Sequence, residues 1–342
     1  MTAESAYPVS RIRFNGGEAS MEASLNTPRG LGRAPHIIAA LSVPVSEAGE
    51  IDFEVFARDL ERTAGYGIEP AVLMDTYQIN HCTLEDQVRG LETTREVMNG
   101  RAFTAGVYVE DEIRGDGIED IIRAYQAKIE QLENRYGASP IVFQTERLKD
   151  ADAATVVRVY EGLAEASRGV LKAFELSPVF APNGWMFPDD ALIEILAGDK
   201  WAGAKHSSLD PSMEWVLLRK VHRIGKKLYT GNDYDFASMI FNGSDALLGI
   251  ATFMPDKFRA LGDALRDGEL ARYHDLGNRM EFLGRVAFQP PVPAYKHSAA
   301  MVKKMRGWYP TDYVLPDNPL RRDEAHREAL REALENLDIP CG

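Results

Sequence analysis

The chain has only two cysteines in 342 residues, Cys82 and Cys341, far apart in sequence. Two such residues cannot build a disulfide framework and point to a reducing, cytoplasmic setting. The seven histidines are scattered, with no His-x-His, His-Glu-x-x-His or Cys-x-x-Cys spacing, so no metal is expected. Long apolar runs are missing too. The longest, from Ala246 to Met254 with Thr252 interrupting it, is far short of the ~18–20 residues of a membrane helix. Residues Met1 to Pro8 lack a basic flank followed by an apolar run, so no signal peptide is expected. Positive charge is in deficit: 39 basic against 52 acidic residues give a net charge of −13. A phosphate backbone would be repelled by that field. The densest basic run, Arg219 to Lys227, reads as the solvated face of one helix, and no nucleic-acid partner is expected. Neither a Gly-x-Gly-x-x-Gly nor a Walker loop occurs, and no cofactor is expected.

What is present is an alternation. From residue 36 onward, short β-like runs are followed by stretches with helical periodicity, the pattern of a parallel sheet with crossover helices. Strands are expected at His36–Leu41, Ala71–Met74, Ala102–Val109, Pro140–Phe143, Val170–Leu176, Trp201–Ser207, Leu228–Gly231 and Ala246–Phe253. The helices between them include a stripe of Ile118, Ile121, Ile122, Tyr125, Ile129 and Leu132. Eight β-then-α units without a break in composition predict an α/β fold, a (β/α)₈ TIM barrel over residues 36–287. Residues 1–35 are read as an N-terminal arm or hairpin, and 288–342 as a C-terminal helical extension packing on the barrel.

Barrel enzymes carry their chemistry at the C-terminal ends of the strands. The sixth strand there reads Gly203-Ala204-Lys205-His206-Ser207-Ser208. Period-2 alternation sets Gly203, Lys205 and Ser207 on one face and His206 on the other, toward the helices. Between small neighbours, a lysine facing the mouth would be partly dehydrated, which favours the neutral amine. A neutral amine attacks a carbonyl to form an imine, an electron sink.

That segment resembles the Gly-x-Lys-x-Ser-Ser stretch of the dihydrodipicolinate synthase and N-acetylneuraminate lyase family of class I, Schiff-base aldolases. Ile51-Asp52 after Pro44, Gly231-Asn232-Asp233, and the eighth strand from Gly243 through Leu248 to Pro255 are similar to further landmarks of that family in the same order. The similarity runs over about residues 37 to 305. It implies Lys205 as the imine lysine, Gly203, Ser207, Gly231, Asn232 and Leu248 around it, a small carbonyl or carboxylate substrate, and a homo-oligomer, dimer or tetramer.

The family's carboxylate-holding Gly-Thr-Thr-Gly-Glu loop is replaced by Thr76-Tyr77-Gln78-Ile79-Asn80. Its fifth-strand tyrosine gives way to Glu175-Leu176-Ser177-Pro178, and its fourth-strand tyrosine pair to Phe143-Gln144-Thr145-Glu146. With the tyrosine and threonine relay gone, Glu175 is expected to face Lys205 across the mouth and move protons, with Tyr77 as a second acid. Asp75 and Asn80 are expected to hold substrate hydroxyls, Thr76 and Gln78 to line the site, and Arg147 to pair with a carboxylate. The expected activity is a carbon–carbon lyase or synthase acting on a small oxo acid or sugar-acid-like compound. Alternatives are a dehydratase or deaminase using the same imine, and a catalytically silent barrel that binds a small acid.

Overall fold

In the computed structural model, which describes residues 29–341 apart from 182 and 189, eight parallel strands close into a barrel. They are β1 (Ile37–Ala40), β2 (Glu69–Val72), β3 (Thr104–Val107), β4 (Ser139–Val142), β5 (Leu171–Leu176), β6 (Trp201–Ser207), β7 (Lys227–Thr230) and β8 (Asp245–Leu248). Each pairs with the next, and β8 closes on β1. The strands are rich in Ala, Val, Ile and Leu because both faces are covered, one by the barrel lumen and one by helices. Four of the observed strands, β1, β3, β5 and β8, are shorter than expected, and β2, β4 and β7 are shifted by one or two residues. After Leu248 the chain turns into a 3₁₀ turn at Ile250–Thr252 rather than continuing the eighth strand to Phe253.

Helices fill the crossovers where capping residues stop the chain from extending. Asp52 caps α1 (Phe53–Gly65) by accepting the backbone N–H groups of Glu54 and Val55. Thr83 and Asp86 form a reciprocal capping box on α2 (Leu84–Met98). The Ile-rich stripe forms α3 (Ile118–Gln131), and Asp152 caps α4 (Ala153–Ala164). After β5 comes α5 (Ala191–Ala197), and Asp210 with Pro211 opens α6 (Pro211–Arg223). The short α7 (Ala237–Phe241) follows β7. After β8 the helical stretch breaks at Asp267-Gly268. It forms α8 (Pro255–Arg266) and α9 (Leu270–Ala287), with Gly268 in the left-handed region at φ +73°. The C-terminal extension adds α10 (Tyr295–Met305) and α11 (Glu324–Glu335). The arm expected over residues 1–35 falls mostly on residues 1–28, outside the described residues.

The extension is bolted to the barrel by a buried polar cluster. Lys303 of α10, fully buried, pairs with Asp59 of α1 and donates to the Tyr309 hydroxyl at 3.1 Å, and that hydroxyl lies 3.1 Å from the same carboxylate. Arg62 holds the other carboxylate oxygen at 2.9 Å. Because this anchor fixes α10, it also fixes the first residues of that helix, which reach the mouth of the barrel.

Removing one partner of a buried ion pair strands the other. Lys303→Met should therefore lower the unfolding free energy by about 3–5 kcal/mol. Lys303→Met combined with Asp59→Leu should recover part of that loss. Denaturant melts of both variants check this, and a single-variant loss below about 1 kcal/mol, the range of an exposed pair, would contradict the anchor.

Candidate active site

Lys205 is the fifth residue of β6, and strand alternation turns it into the barrel with Gly203 and Ser207. Its register partners are Phe174 on β5 and Tyr229 on β7. The side chain is 7% exposed, and its Nζ lies 4.4 Å from the centre of the Phe174 ring. Gly231, just past β7, makes room for it. A Cβ there would stand 2.9 Å from Lys205 Cε and 2.0 Å from Ser207 Oγ. Ser207 Oγ is buried without a hydrogen-bond partner among the described residues, so it remains available to a ligand in the same space.

Burial pushes the Lys205 ammonium down to about 8, against the pull of the Asp233 and Asp75 carboxylates, which favour the charged form. Asp233 sits in the turn after β7 and is buried. It accepts the Ile250 N–H at 2.7 Å, and burial raises its carboxyl to about 7 in spite of Lys205. An amine of lowered and a carboxyl of raised proton affinity thus lie buried near one another, each able to exchange protons near neutral pH.

The loop after β2 brings the second set of groups. Leu73 takes a left-handed conformation at φ +53°, and Asp75 and Thr76 then meet α10 of the extension. The Tyr295 hydroxyl donates to Asp75 Oδ2 at 2.9 Å and lies 2.9 Å from Thr76 Oγ1. Lys296, 5% exposed, pairs with the same carboxylate oxygen at 2.9 Å. Burial, with Asp75 beside it, keeps the Tyr295 phenol protonated. Gly249 holds these groups together. A Cβ there would be 3.2 Å from Thr76 Oγ1, 3.2 Å from the Tyr295 ring and 3.4 Å from Asp233 Oδ1.

Other expected residues lie elsewhere. Glu175 does not meet Lys205: it pairs in register with His206, on the opposite face of the sheet, where its carboxylate is hydrogen-bonded to His206 Nδ1 and accepts the Phe187 N–H. Tyr77 is buried in the helix layer, edge-on to Phe56, with its hydroxyl where a side chain on Gly90 of α2 would go. Gln78, left-handed at φ +63°, is held by Asn318 at 3.0 Å. Asn80 is exposed beside His81, and Arg147 bonds the Gly115 carbonyl and Asp116 at the surface. Asn232 is buried with its Nδ2 unpartnered among the described residues. Gly203 sits against the Lys227 backbone, and Leu248, one residue from the inward Leu247, is part of the wall. No group of three His, Cys, Asp or Glu able to hold a metal occurs among the described residues, and no helix is long and apolar enough to cross a membrane.

Tyr295, Lys296 and Phe174 were not legible as site residues. Phe174 and Glu175 are adjacent, and which of them faces inward depends on the β5–β6 register, which neither strand's own sequence contains. Tyr295 and Lys296 follow a proline-rich stretch in what reads as a packing extension. The one available signal was Pro290-Pro291 and Pro293, a stiff turn able to send the next helix back to the mouth.

Solved structures share this architecture at low sequence identity. Dihydrodipicolinate synthase from Aquifex aeolicus superposes with a TM-score of 0.72 at 17% identity, covering 90% of this chain and 99% of that one. The chloride-inhibited dihydrodipicolinate synthase from Acinetobacter baumannii, complexed with pyruvate, gives 0.71 at 18%, covering 90% and 100%. YagE, a prophage protein of the dihydrodipicolinic acid synthase family from E. coli K12, also in complex with pyruvate, gives 0.74 at 17%, covering 89% and 99%. The fold is that of the dihydrodipicolinate synthases. No curated protein matches by sequence. The sequence profile described as "Protein of unknown function (DUF993)" matches residues 13–314, and the chain belongs to that family.

Proposed function

We propose that the chain is a Schiff-base-forming lyase or synthase that makes or breaks a carbon–carbon bond in a small oxo acid or sugar-acid-like compound, with Lys205 as the nucleophile. The observation that carries this reading is the buried amine at the open end of the barrel, pushed down to about 8 by burial. Pyruvate in the solved relatives from A. baumannii and E. coli K12 fits the same substrate class.

The first step is addition of the neutral amine to the substrate carbonyl. Loss of water from the resulting carbinolamine gives the imine, and both hydrogens of that water come from the amine nitrogen. The surrounding groups therefore only carry protons from nitrogen to oxygen. Thr76, Tyr295 and Asp75 form a hydrogen-bonded chain able to do this, with a tyrosine from the extension in the office of the tyrosine missing after β5. Once formed, the imine takes a proton from the Asp233 carboxyl and withdraws electrons, so a bond to the neighbouring carbon can break, leaving an enamine. Asp233, poised near 7, is placed to accept a proton from the substrate and return it. Glu175 has no part in this route. Its carboxylate serves His206.

Borohydride reduction in the presence of pyruvate and longer oxo acids should label Lys205. The mass gained equals the oxo acid less one oxygen atom, located by peptide mass spectrometry. Labelling at another lysine, Lys296 included, with none at Lys205 would sink the reading. Tyr295→Phe keeps the ring and removes the proton. It should lower kcat by roughly 10²-fold, the scale of a lost general acid, while Lys205 is still trapped by borohydride and KM changes little. Unchanged kcat would remove Tyr295 from the relay.

A further inference from the structure

Behind the wall that carries Lys205 lies a second cavity that the proposed chemistry does not use. It opens between α5 and α6, outside the barrel, with a volume of about 430 Å³, within the range of small-molecule sites. Its walls are apolar: Leu192 and Ile193 come from α5, and Met213, Val216 and Leu217 from α6. Val216 is 59% exposed, so the mouth is open to solvent.

The floor is polar and built. Glu175 and His206 lie side by side on β5 and β6, both buried, and both line the cavity. The Glu175 carboxylate takes the His206 Nδ1 on one oxygen and the Phe187 N–H on the other. In the neutral imidazole, the Nδ1–H faces the carboxylate and Nε2 is a lone-pair acceptor. His206 is only 2% exposed, and Nε2 has no partner among the described residues. A buried acceptor without a donor is disfavoured. Its preferred partner is a donor brought in from the cavity.

Charge narrows the class of that donor. Glu214 of α6 is buried with Oε1 unpartnered among the described residues; burial raises its carboxyl to about 7, against the pull of His206. At the rim, Lys220 is paired with Asp190. A carboxylate entering the cavity would meet the buried Glu175 carboxylate beside His206 and a lysine already engaged. A neutral hydroxyl meets neither obstacle.

We infer that this cavity is a second small-molecule site, for a neutral alcohol with an apolar body such as a phenol, whose hydroxyl donates to His206 Nε2 while its apolar body lies between α5 and α6. The site is independent of the imine chemistry, because Lys205 and His206 project from opposite faces of β6.

The test uses the full chain with methyl-¹³C methionine, read by NMR. The cavity methionines Met186 and Met213 are assigned by Met→Leu variants. Titration with 2-naphthol should shift both signals saturably. Naphthalene, lacking the donor, and 2-naphthoate, an anion, should each bind roughly tenfold more weakly, the ratio that one hydrogen bond gives. Val216→Trp, at an exposed position, should block the mouth and abolish the shifts. Signals of Met186 and Met213 that stay fixed at high 2-naphthol would overturn the site. Naphthalene binding as tightly as 2-naphthol would overturn the role of the hydroxyl, and tighter binding of 2-naphthoate would overturn the exclusion of anions. Shifts that persist in Val216→Trp would move the binding elsewhere on the molecule.

Discussion

A lysine amine that is almost out of water, against an aromatic ring and within reach of two carboxyl groups, is the feature on which the candidate site depends. Burial against Phe174 disfavours the ammonium; Asp233 and Asp75 favour it; burial is the larger effect, and the balance falls near 8. Had burial acted alone, the amine would be neutral but without a charged partner to exchange protons with. Had the carboxylates dominated, it would be a permanently charged ion pair. The glycines at 231 and 249 keep that compromise possible, since a methyl group at either would press on the lysine chain or on the acid groups.

The C-terminal extension is part of this balance. Its helix α10 is anchored at one end by Lys303 on Asp59 and delivers Tyr295 and Lys296 at the other. Tyr295 is packed face-on against Phe288 and edge-on to Phe180, so its phenol has little freedom of position. Lys296 neutralises Asp75, which lets that carboxylate stay buried in a chamber holding a second acid. An appendage that reads as packing thus supplies the phenol that bonds Asp75 and Thr76.

The barrel was legible because its signals are local and repeated: apolar strand runs and one periodic helix after another. Lys205 was legible because alternation within β6 is enough to turn it inward between Gly203 and Ser207. Partners contributed by other strands were not. Glu175 and Phe174 differ by one position, and a single step of register exchanges lumen for helix layer. Tyr77 has the right chemistry, but the turn after β2 buries it under α2, where only Gly90 leaves space for its hydroxyl. Tyr295 comes from a segment whose path over the barrel depends on long-range packing at Lys303, which no window of sequence around residue 295 records.

The most direct test of the account is the titration of the Lys205 amine itself, followed by the pH dependence of its ¹³Cε signal in lysine-labelled protein and assigned by Lys205→Arg. The account predicts a midpoint near 8, falling further in Asp233→Asn, where a carboxylate that favours the ammonium is gone. A midpoint near 10.4, that of a lysine in water, would contradict it.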